Sequence, residues 1–122
     1  MPHDVRAPAI DAYGDGGFRI GGVRKDGATL IFDGAARAWR DAPGNATALT
    51  PEHFSDLLNA QARPDMVVLG AGERLTHPPA AVRKAFRDAG IGLEVMDTGS
   101  ACRAYNLLAG EARRVYAALL PV

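Results

Sequence analysis

The stretch MVVLGAG at residues 66–72 decides the fold of this chain. Its first four residues form a continuous apolar run, which is typical of a strand buried on both faces of a parallel sheet. A helix is predicted at residues 79–89, where apolar residues recur on one face and Gly90 ends the pattern. A second apolar strand is predicted at residues 92–96. This alternation of strand, helix and strand predicts parallel pairing.

The same alternation continues toward the C-terminal end of the sequence. A helix is predicted from residue 97 or 98 to residue 108, closed by Gly110, and the apolar residues 115–120 follow. Alanine and leucine would also suit a helix there. We predict a strand, because β-α-β-α-β completes a three-stranded sheet with right-handed crossovers and Pro121 stops the segment early.

The first 40 residues are rich in glycine and predict short strands joined by turns. The pairs Asp26-Gly27 and Asp33-Gly34 are typical of tight turns that need a positive φ. We therefore expect an antiparallel meander with Trp39 packed beneath it. Its strands are predicted at residues 10–13, 17–23, 28–32 and 35–40.

The segment between the meander and the first buried strand predicts a loop and a helix. Residues 41–48 contain proline, glycine and asparagine, which favour a loop. Thr50 suits an N-cap and Pro51 the first helical position, so a helix is predicted from there to about Ala62. Its apolar residues, which include Phe54 and Leu57, are expected to dock on the core.

Composition and charge exclude several classes of function. Fourteen basic and fourteen acidic residues cancel, so no overall positive field exists to gather nucleic acid. The single cysteine, Cys102, cannot form an internal disulfide, and residues 1–10 lack the apolar core of a secretory signal. No apolar run approaches the roughly 18 residues that span a bilayer. We therefore expect a bacterial-type cytoplasmic protein that does not insert into membranes.

Several parts of the sequence resemble a known family. These are Ala12-Tyr13-Gly14 with Phe18-Arg19-Ile20, Trp39, residues 68–72 and, above all, MDTGSACRAYNLL at residues 96–108. They are similar to a family of small domains of unknown function, which includes a mitochondrial respiratory complex I assembly factor and an adipogenesis-associated human protein. The family pattern has Arg-Thr-Tyr-Asn where this chain has Ala104 in the second place. A role of that threonine is therefore not carried over.

The resemblance implies an α/β fold in one three-layer domain. A mixed central sheet would contain the β-α-β-α-β part, and a smaller antiparallel sheet would be formed near the N-terminus. At 122 residues the chain has the size of a single domain, 1–122, in which residues 1–8 are expected to be a flexible tail. The resemblance implies no established activity. The mitochondrial relative acts as a binding factor during assembly of a large enzyme.

The glycines after the first buried strand have two interpretations. Gly70 and Gly72, with Asp97 after the next strand, suggest part of a dinucleotide-binding fingerprint. A third glycine would fall at Leu75, and residues 76–79 separate the glycines from the helix that would hold a pyrophosphate. The alternative, which we favour, is that these glycines only form a turn.

His77 and Cys102 are the side chains nearest to a catalytic type. His77 follows the strand end where ligands bind in open α/β sheets, so it is the best candidate for a general acid or base. No second histidine or cysteine completes a metal pattern with it. Cys102 lies one turn into a helix beside Arg103, which would lower a thiol pKa. We favour an exposed histidine without a mechanism and a buried cysteine that packs as a small hydrophobe.

Asp97, Thr98, Arg103 and Asn106 form the most distinctive polar group. Asp97 or Thr98 can cap the helix, and Arg103 and Asn106 share a helix face at i and i+3. Polar residues at this edge of a sheet are favoured ligand positions. The alternative is structural, with Arg103 paired to a carboxylate such as Asp97 and Asn106 tying down a neighbouring loop.

The sequence contains no catalytic constellation, metal-ligand pattern or cofactor motif that is complete. We therefore predict no catalytic residues, no metal and no cofactor, and a non-enzymatic protein-binding or assembly-factor-like module whose partner is another protein. The alternative is a small-molecule-binding protein or enzyme that uses the crevice between the ends of strands 66–69 and 92–96. His77, Asp97 and Arg103 would lie nearest to its ligand.

Overall fold

The computed structural model describes residues 7–111 and 113–122, so most of the predicted tail at residues 1–8 lies outside the described part. The described chain forms strands, α-helices and two short 3₁₀ helices at Ala46–Ala48 and Pro51–Phe54. The strands are β1 (Ile10–Gly14), β2 (Gly17–Ile20), β3 (Val23–Asp26), β4 (Thr29–Phe32), β5 (Ala35–Ala38), β6 (Met66–Gly70), β7 (Gly92–Met96) and β8 (Val115–Leu119). The α-helices are α1 (Ser55–Leu58), α2 (Ala80–Ala89) and α3 (Thr98–Ala109).

The central sheet is mixed and has the strand order β5-β4-β8-β6-β7. β6 pairs in parallel with both β7 and β8, while β4 pairs antiparallel with β5 and β8. Every residue of β8 is buried. The predicted strand at residues 115–120 is thus confirmed, and it pairs in parallel with the buried strand β6 as predicted.

The two faces of this sheet are covered by different layers. Val67 and Leu69 of β6 point to one face, where they join a core cluster with Phe54 of the second 3₁₀ helix and Phe86 of α2. Val68 points to the other face, where α3 and the small sheet pack. Burial on both faces explains the continuous apolar run of β6. The three-layer α/β fold is confirmed.

The N-terminal strands do not form one meander, and this prediction was wrong. β1, β2 and β3 form a separate three-stranded antiparallel sheet, whereas β4 and β5 belong to the central sheet. The predicted strand at residues 17–23 is two strands, because Gly21 and Gly22 have φ values of +57° and +80° and make a turn. Asp15-Gly16 makes a similar turn with φ values of +53° and +77°, which the sequence analysis did not single out.

The predicted helix from Thr50 to Ala62 is also much shorter in the structure. A 3₁₀ turn at Pro51–Phe54 is followed by a single α-helical turn that ends at Leu58. The backbone of Ala62 is held by other partners, because its carbonyl accepts from the Tyr116 hydroxyl at 2.6 Å and its N–H donates to Asp33 at 3.4 Å. These tertiary hydrogen bonds replace the ones that a longer helix would make.

Trp39 packs in the core, where its ring centroid lies 5.4 Å from that of Phe54. Its indole N–H donates to the His53 carbonyl at 2.7 Å, so the polar atom of this buried side chain has a partner. It therefore packs on the central sheet rather than beneath the small one. Within the described residues, none of the helices has the length and apolar character needed to cross a membrane.

Candidate functional site

Thr98 is the centre of the contacts at the carboxyl ends of the parallel strands. Its side chain is fully buried, with 0% exposure. The Thr98 hydroxyl accepts from the Gly72 N–H at 2.9 Å and donates to the Leu120 carbonyl at 2.7 Å. The Thr98 N–H in turn donates to the Gly72 carbonyl at 2.8 Å. The hydroxyl thus joins the chain segments that follow β6 and β8 to the start of α3, and it is fully used by the fold.

Gly70 and Gly72 serve the same close packing. A Cβ atom at Gly70 would lie 3.0 Å from the Thr98 hydroxyl oxygen and 3.1 Å from a Leu119 methyl carbon, so only glycine fits without movement. Gly72 has a φ of +113°, which side chains rarely adopt. α2 begins only at Ala80, well beyond both glycines. These contacts support the interpretation that the glycines form a turn. A dinucleotide site would need a helix to begin directly after the glycines, and none does.

Asp97 caps α3 through Ser100. Asp97 Oδ1 accepts from the Ser100 N–H at 2.9 Å, and Oδ2 accepts from the Ser100 hydroxyl at 2.8 Å. These two hydrogen bonds, the backbone one first, hold the pKa of the Asp97 carboxyl below its usual value despite some desolvation. Asp97 is therefore an N-cap residue, as one of the two sequence-based alternatives proposed.

Arg103 is exposed and makes only an indirect contact with Asp97. Its Nη2 donates to the Ser100 hydroxyl oxygen at 3.3 Å. Among the described residues, no ion pair within 4.0 Å joins Arg103 to Asp97 or to another carboxylate. The charge pair of Arg103 with a carboxylate such as Asp97, which the structural alternative predicted, is therefore not formed, because Ser100 lies between the two groups.

We expect Arg103→Ala to lower the free energy of unfolding by less than about 1 kcal/mol, because exposed charged contacts contribute little. Urea unfolding measures this change, with Arg103→Lys as the control that keeps the charge. Thermal unfolding of the wild type with a metabolite panel tests the ligand alternative. A metabolite that stabilises the wild type but not Arg103→Ala would contradict our assignment of Arg103 to the exposed surface.

Asn106 and Tyr105 fasten the N-terminal segment to α3. The Asn106 side chain accepts from the Ile10 N–H at 2.8 Å and donates to the Ile10 carbonyl at 2.9 Å. The Tyr105 hydroxyl donates to the Pro8 carbonyl at 2.9 Å. Asn106 thus pairs with β1 as a neighbouring strand would, which matches the structural alternative. The sequence did not indicate this contact of Tyr105, because Pro8 lies 97 residues away along the chain.

His77 does not join these residues. It is exposed, and its Nδ1 contacts the guanidinium of Arg83 on α2. No hydrogen bond among residues 7–111 and 113–122 links His77 to Asp97, Arg103 or Asn106. The structure therefore brings Gly70, Gly72, Asp97 and Thr98 together and leaves His77 outside the group. Asn106 lies two turns further along α3, about 12 Å from Thr98 at the helical rise per residue.

Cys102 is buried with 3% exposure, and packs in the cluster between α3 and the central sheet. Burial raises the pKa of its thiol to about 11, and the nearby Arg103 guanidinium offsets only part of this effect. A thiol with that pKa is almost fully protonated near neutral pH and makes a poor nucleophile. The interpretation as a small buried hydrophobe is confirmed.

We expect the native protein to react slowly with a thiol reagent such as 5,5′-dithiobis(2-nitrobenzoate) at pH 8, because Cys102 is both shielded and protonated. The same protein in 8 M urea provides the control, and there the single thiol is expected to react at the rate of a free cysteine. Rapid labelling of the folded protein, without loss of its circular dichroism, would contradict this prediction.

The structure also contains a cleft that the sequence did not reveal. It has a volume of about 770 Å³ and lies between β5 with the residues after it and the helical turns at residues 52–61. The buried side chains of Phe32 and Trp39 line it, together with charged residues from both segments. Its walls come from parts of the chain that only the fold brings together. No local pattern could therefore have predicted it.

The fold and the edge residues together define a class of protein. It is a three-layer α/β domain in which the polar residues at the carboxyl edge hold strands and helix together, with no triad or metal cluster among the described residues. Residues 10–120 match the family described as protein of unknown function DUF498/DUF598. The chain belongs to this family.

The relatives of the chain include a protein that is named as an assembly factor. The chain is 34% identical over 117 residues to the human NADH dehydrogenase [ubiquinone] 1 alpha subcomplex assembly factor 3, covering 96% of this chain and 62% of the human protein. It is 37% identical over 124 residues to an uncharacterised protein of Rhodobacter capsulatus, covering 99% and 90% of the two chains. It therefore spans less than two thirds of the human relative's length.

A solved structure agrees with the fold. The NMR structure of the Rpa2829 protein from Rhodopseudomonas palustris superposes with a TM-score of 0.82 at 34% sequence identity, covering 100% of this chain and 89% of that one. The 34% identity to the human assembly factor confirms the kinship with a respiratory complex I assembly factor that the sequence predicted. Kinship with the adipogenesis-associated protein stays a prediction.

Proposed function

We propose that this chain is a non-enzymatic protein-binding module that acts during the assembly of a multisubunit complex. The observation that carries the proposal is its 34% identity to the human assembly factor across 96% of its own length. The matched region includes the residues that fasten α3 to both sheets. The contact surface of the relative would therefore be presented on the same scaffold here.

The alternative, a ligand site at the carboxyl edge, has less support. The Thr98 hydroxyl and the Asn106 amide would have been its best hydrogen-bonding groups, and backbone partners occupy both. His77 lies outside the group. The proposed partner is a protein, and the cytoplasmic location and the lack of nucleic-acid binding remain predictions from the sequence.

Deletion of the gene in its native host tests the proposal. We expect less assembled NADH dehydrogenase in the membranes, measured by native gel electrophoresis and by NADH:quinone oxidoreductase activity. Expression of the wild-type chain should restore both. Succinate dehydrogenase activity serves as the control, because a general loss of membrane function would lower it too. An unchanged amount of assembled NADH dehydrogenase in the deletion strain would contradict the proposal.

A further inference from the structure

The outer edge of β5 carries backbone groups that no described strand pairs. β5 stands at the end of the sheet order and bonds only to β4. Trp39, just after β5, donates its N–H to Ala28, and bonded pairs alternate along an antiparallel ladder. The backbone groups of Arg37 therefore face β4. Those of Ala36 and Ala38 face outward, where another strand can bind.

The side chains of β5 are small, and β3, which lies near β5, forms no ladder with it. Three of its four residues are alanines, so a second backbone can approach without displacing bulky groups. Natural edge strands are commonly protected by charged residues or bulges. The one charged residue, Arg37, is held over the face of the sheet, where its guanidinium carbon lies 4.3 Å from the centroid of the Phe32 ring.

The cleft described above adjoins this edge on one face of the sheet. Phe32, Arg37 and Trp39 line it, and they share the face on which the first core cluster packs. Side chains of a strand alternate between the two faces. Every second side chain of a strand added to β5 would therefore point toward the cleft. Its volume of about 770 Å³ is of the size that holds bound side chains or small ligands.

The net charge of the residues that line the cleft favours one kind of side chain in a bound segment. The carboxylates of Asp41, Glu52 and Asp56 line it, and none forms an ion pair with any residue of the described ranges. Among the other charged residues that line it, Asp33 accepts from the Ala62 N–H, and its Oδ1 lies 2.8 Å from the Tyr116 hydroxyl oxygen. Arg40 is the one remaining cation besides the stacked Arg37, so a negative excess is left. This excess favours lysine or arginine.

We propose that the β5 groove, defined as the open edge of β5 with the adjoining cleft, binds an extended segment of a partner protein that carries lysine or arginine. The segment adds a strand to the central sheet, and its basic side chains enter the cleft. This inference deepens the proposed binding function and rests on it. A second copy of the chain is a poorer occupant, because symmetric pairing of two β5 edges would bring two negatively charged clefts together.

Synthetic peptides test the groove without knowledge of the partner. The probe is the blocked peptide acetyl-(Thr-Lys)₄-amide, and acetyl-(Thr-Glu)₄-amide is its matched control. The fluorescence of Trp39, the single tryptophan, reports on the cleft, and NMR amide shifts report on Ala36 and Ala38. We expect saturable binding of the lysine peptide at both reporters. Absence of binding at millimolar peptide would overturn the proposal.

Substitutions in the protein then locate the interaction. The double variant Glu52→Gln, Asp56→Asn should weaken binding by about tenfold or more, since it removes two of the charges. Glu94→Gln on β7, at the opposite edge of the sheet, is the control and should have no effect. Unchanged affinity of the double variant, provided that its circular dichroism is native, would overturn the proposal.

Backbone methylation of the peptide tests strand addition while the protein stays unchanged. One peptide is N-methylated at its threonines and another at its lysines. Only one of these sets can face β5, so we expect one methylated peptide to lose binding and the other to keep it. Equal binding of both would overturn strand addition. Binding of spermine as tight as that of the lysine peptide would also overturn it, because spermine has no peptide backbone. A dimer of the protein that light scattering detects and the peptide dissociates would show instead that a second copy occupies the groove.

The two proposals can fail separately. Loss of assembled NADH dehydrogenase in the deletion strain does not depend on the groove, and the peptide titration does not depend on that enzyme. If the peptides bind and deletion has no effect, the assembly function fails alone. If deletion has its effect and the peptides do not bind, the groove fails alone.

Discussion

Thr98→Val is expected to lower the free energy of unfolding by about 2 to 4 kcal/mol, measured by urea denaturation. Valine keeps the shape of the side chain and removes the hydroxyl that bonds to the Gly72 N–H and the Leu120 carbonyl. The buried Leu120 carbonyl then loses its side-chain partner at roughly 1 to 3 kcal/mol, and the partly buried Gly72 N–H loses its partner at roughly 1 kcal/mol. Native proteins have only about 5 to 15 kcal/mol of stability, so this is a large fraction.

Thr98→Ser is the matched control for this variant. Serine keeps the hydroxyl and removes one methyl group, which costs about 1 kcal/mol. The hydroxyl should therefore account for most of the difference between the two variants. Equal destabilisation by serine and valine would show that packing of the methyl group, and not the hydrogen bonds, is what holds this position.

Asn106→Ala is expected to lower the free energy of unfolding by about 1 to 3 kcal/mol, because the N–H and carbonyl of Ile10 both lose their partner. The effect should be strongest locally. Hydrogen exchange of the amides in β1 is expected to accelerate more than exchange in β6, since the side chain of Asn106 anchors only the N-terminal segment.

Leu107→Ala provides the control for Asn106. It lies on the same helix with 69% exposure, so removal of its side chain should change stability by no more than about 0.5 kcal/mol. If the two variants had equal stability and equal exchange in β1, the role of Asn106 as an anchor would be contradicted.

The C-terminal half of the fold was predictable because its signals are local. The apolar run of β6, the stripe on α2 and the left-handed Gly90 that ends α2 are all properties of short segments. The choice of a strand for β8 was a topological argument, since its composition also suits a helix. It was right because a parallel sheet needs a further strand beside β6.

The division of the N-terminal strands was missed, although one signal was present. β4 (TLIF) has three consecutive apolar residues and is buried at all four positions, whereas in β2 (GFRI) the exposed Arg19 lies between Phe18 and Ile20. Continuous burial indicates a strand within a sandwiched sheet, and alternation indicates a sheet with one open face. The partner of β4, however, is β8, some 85 residues later, and no local pattern states that pairing.

The roles of the site residues depended on equally distant contacts. Asn106 and Thr98 were recognised as unusual polar residues, but their partners lie 96 and 22 residues away along the chain. Arg103 contacts the Ser100 hydroxyl instead of a carboxylate. The sequence could not predict this contact, because it depends on side-chain geometry. The sequence therefore singled out these polar residues and left open which of them make structural hydrogen bonds and which remain exposed.

The position of β8 has a consequence for synthesis of the protein. β8 is the last strand along the described chain, and it lies between β4 and β6, which do not pair with each other. Until β8 emerges from the ribosome, the inner edges of β4 and β6 have no strand to pair with. Such edges invite aggregation, so chaperones have their longest opportunity to bind at this stage. The central sheet can close only after β8 has left the exit tunnel.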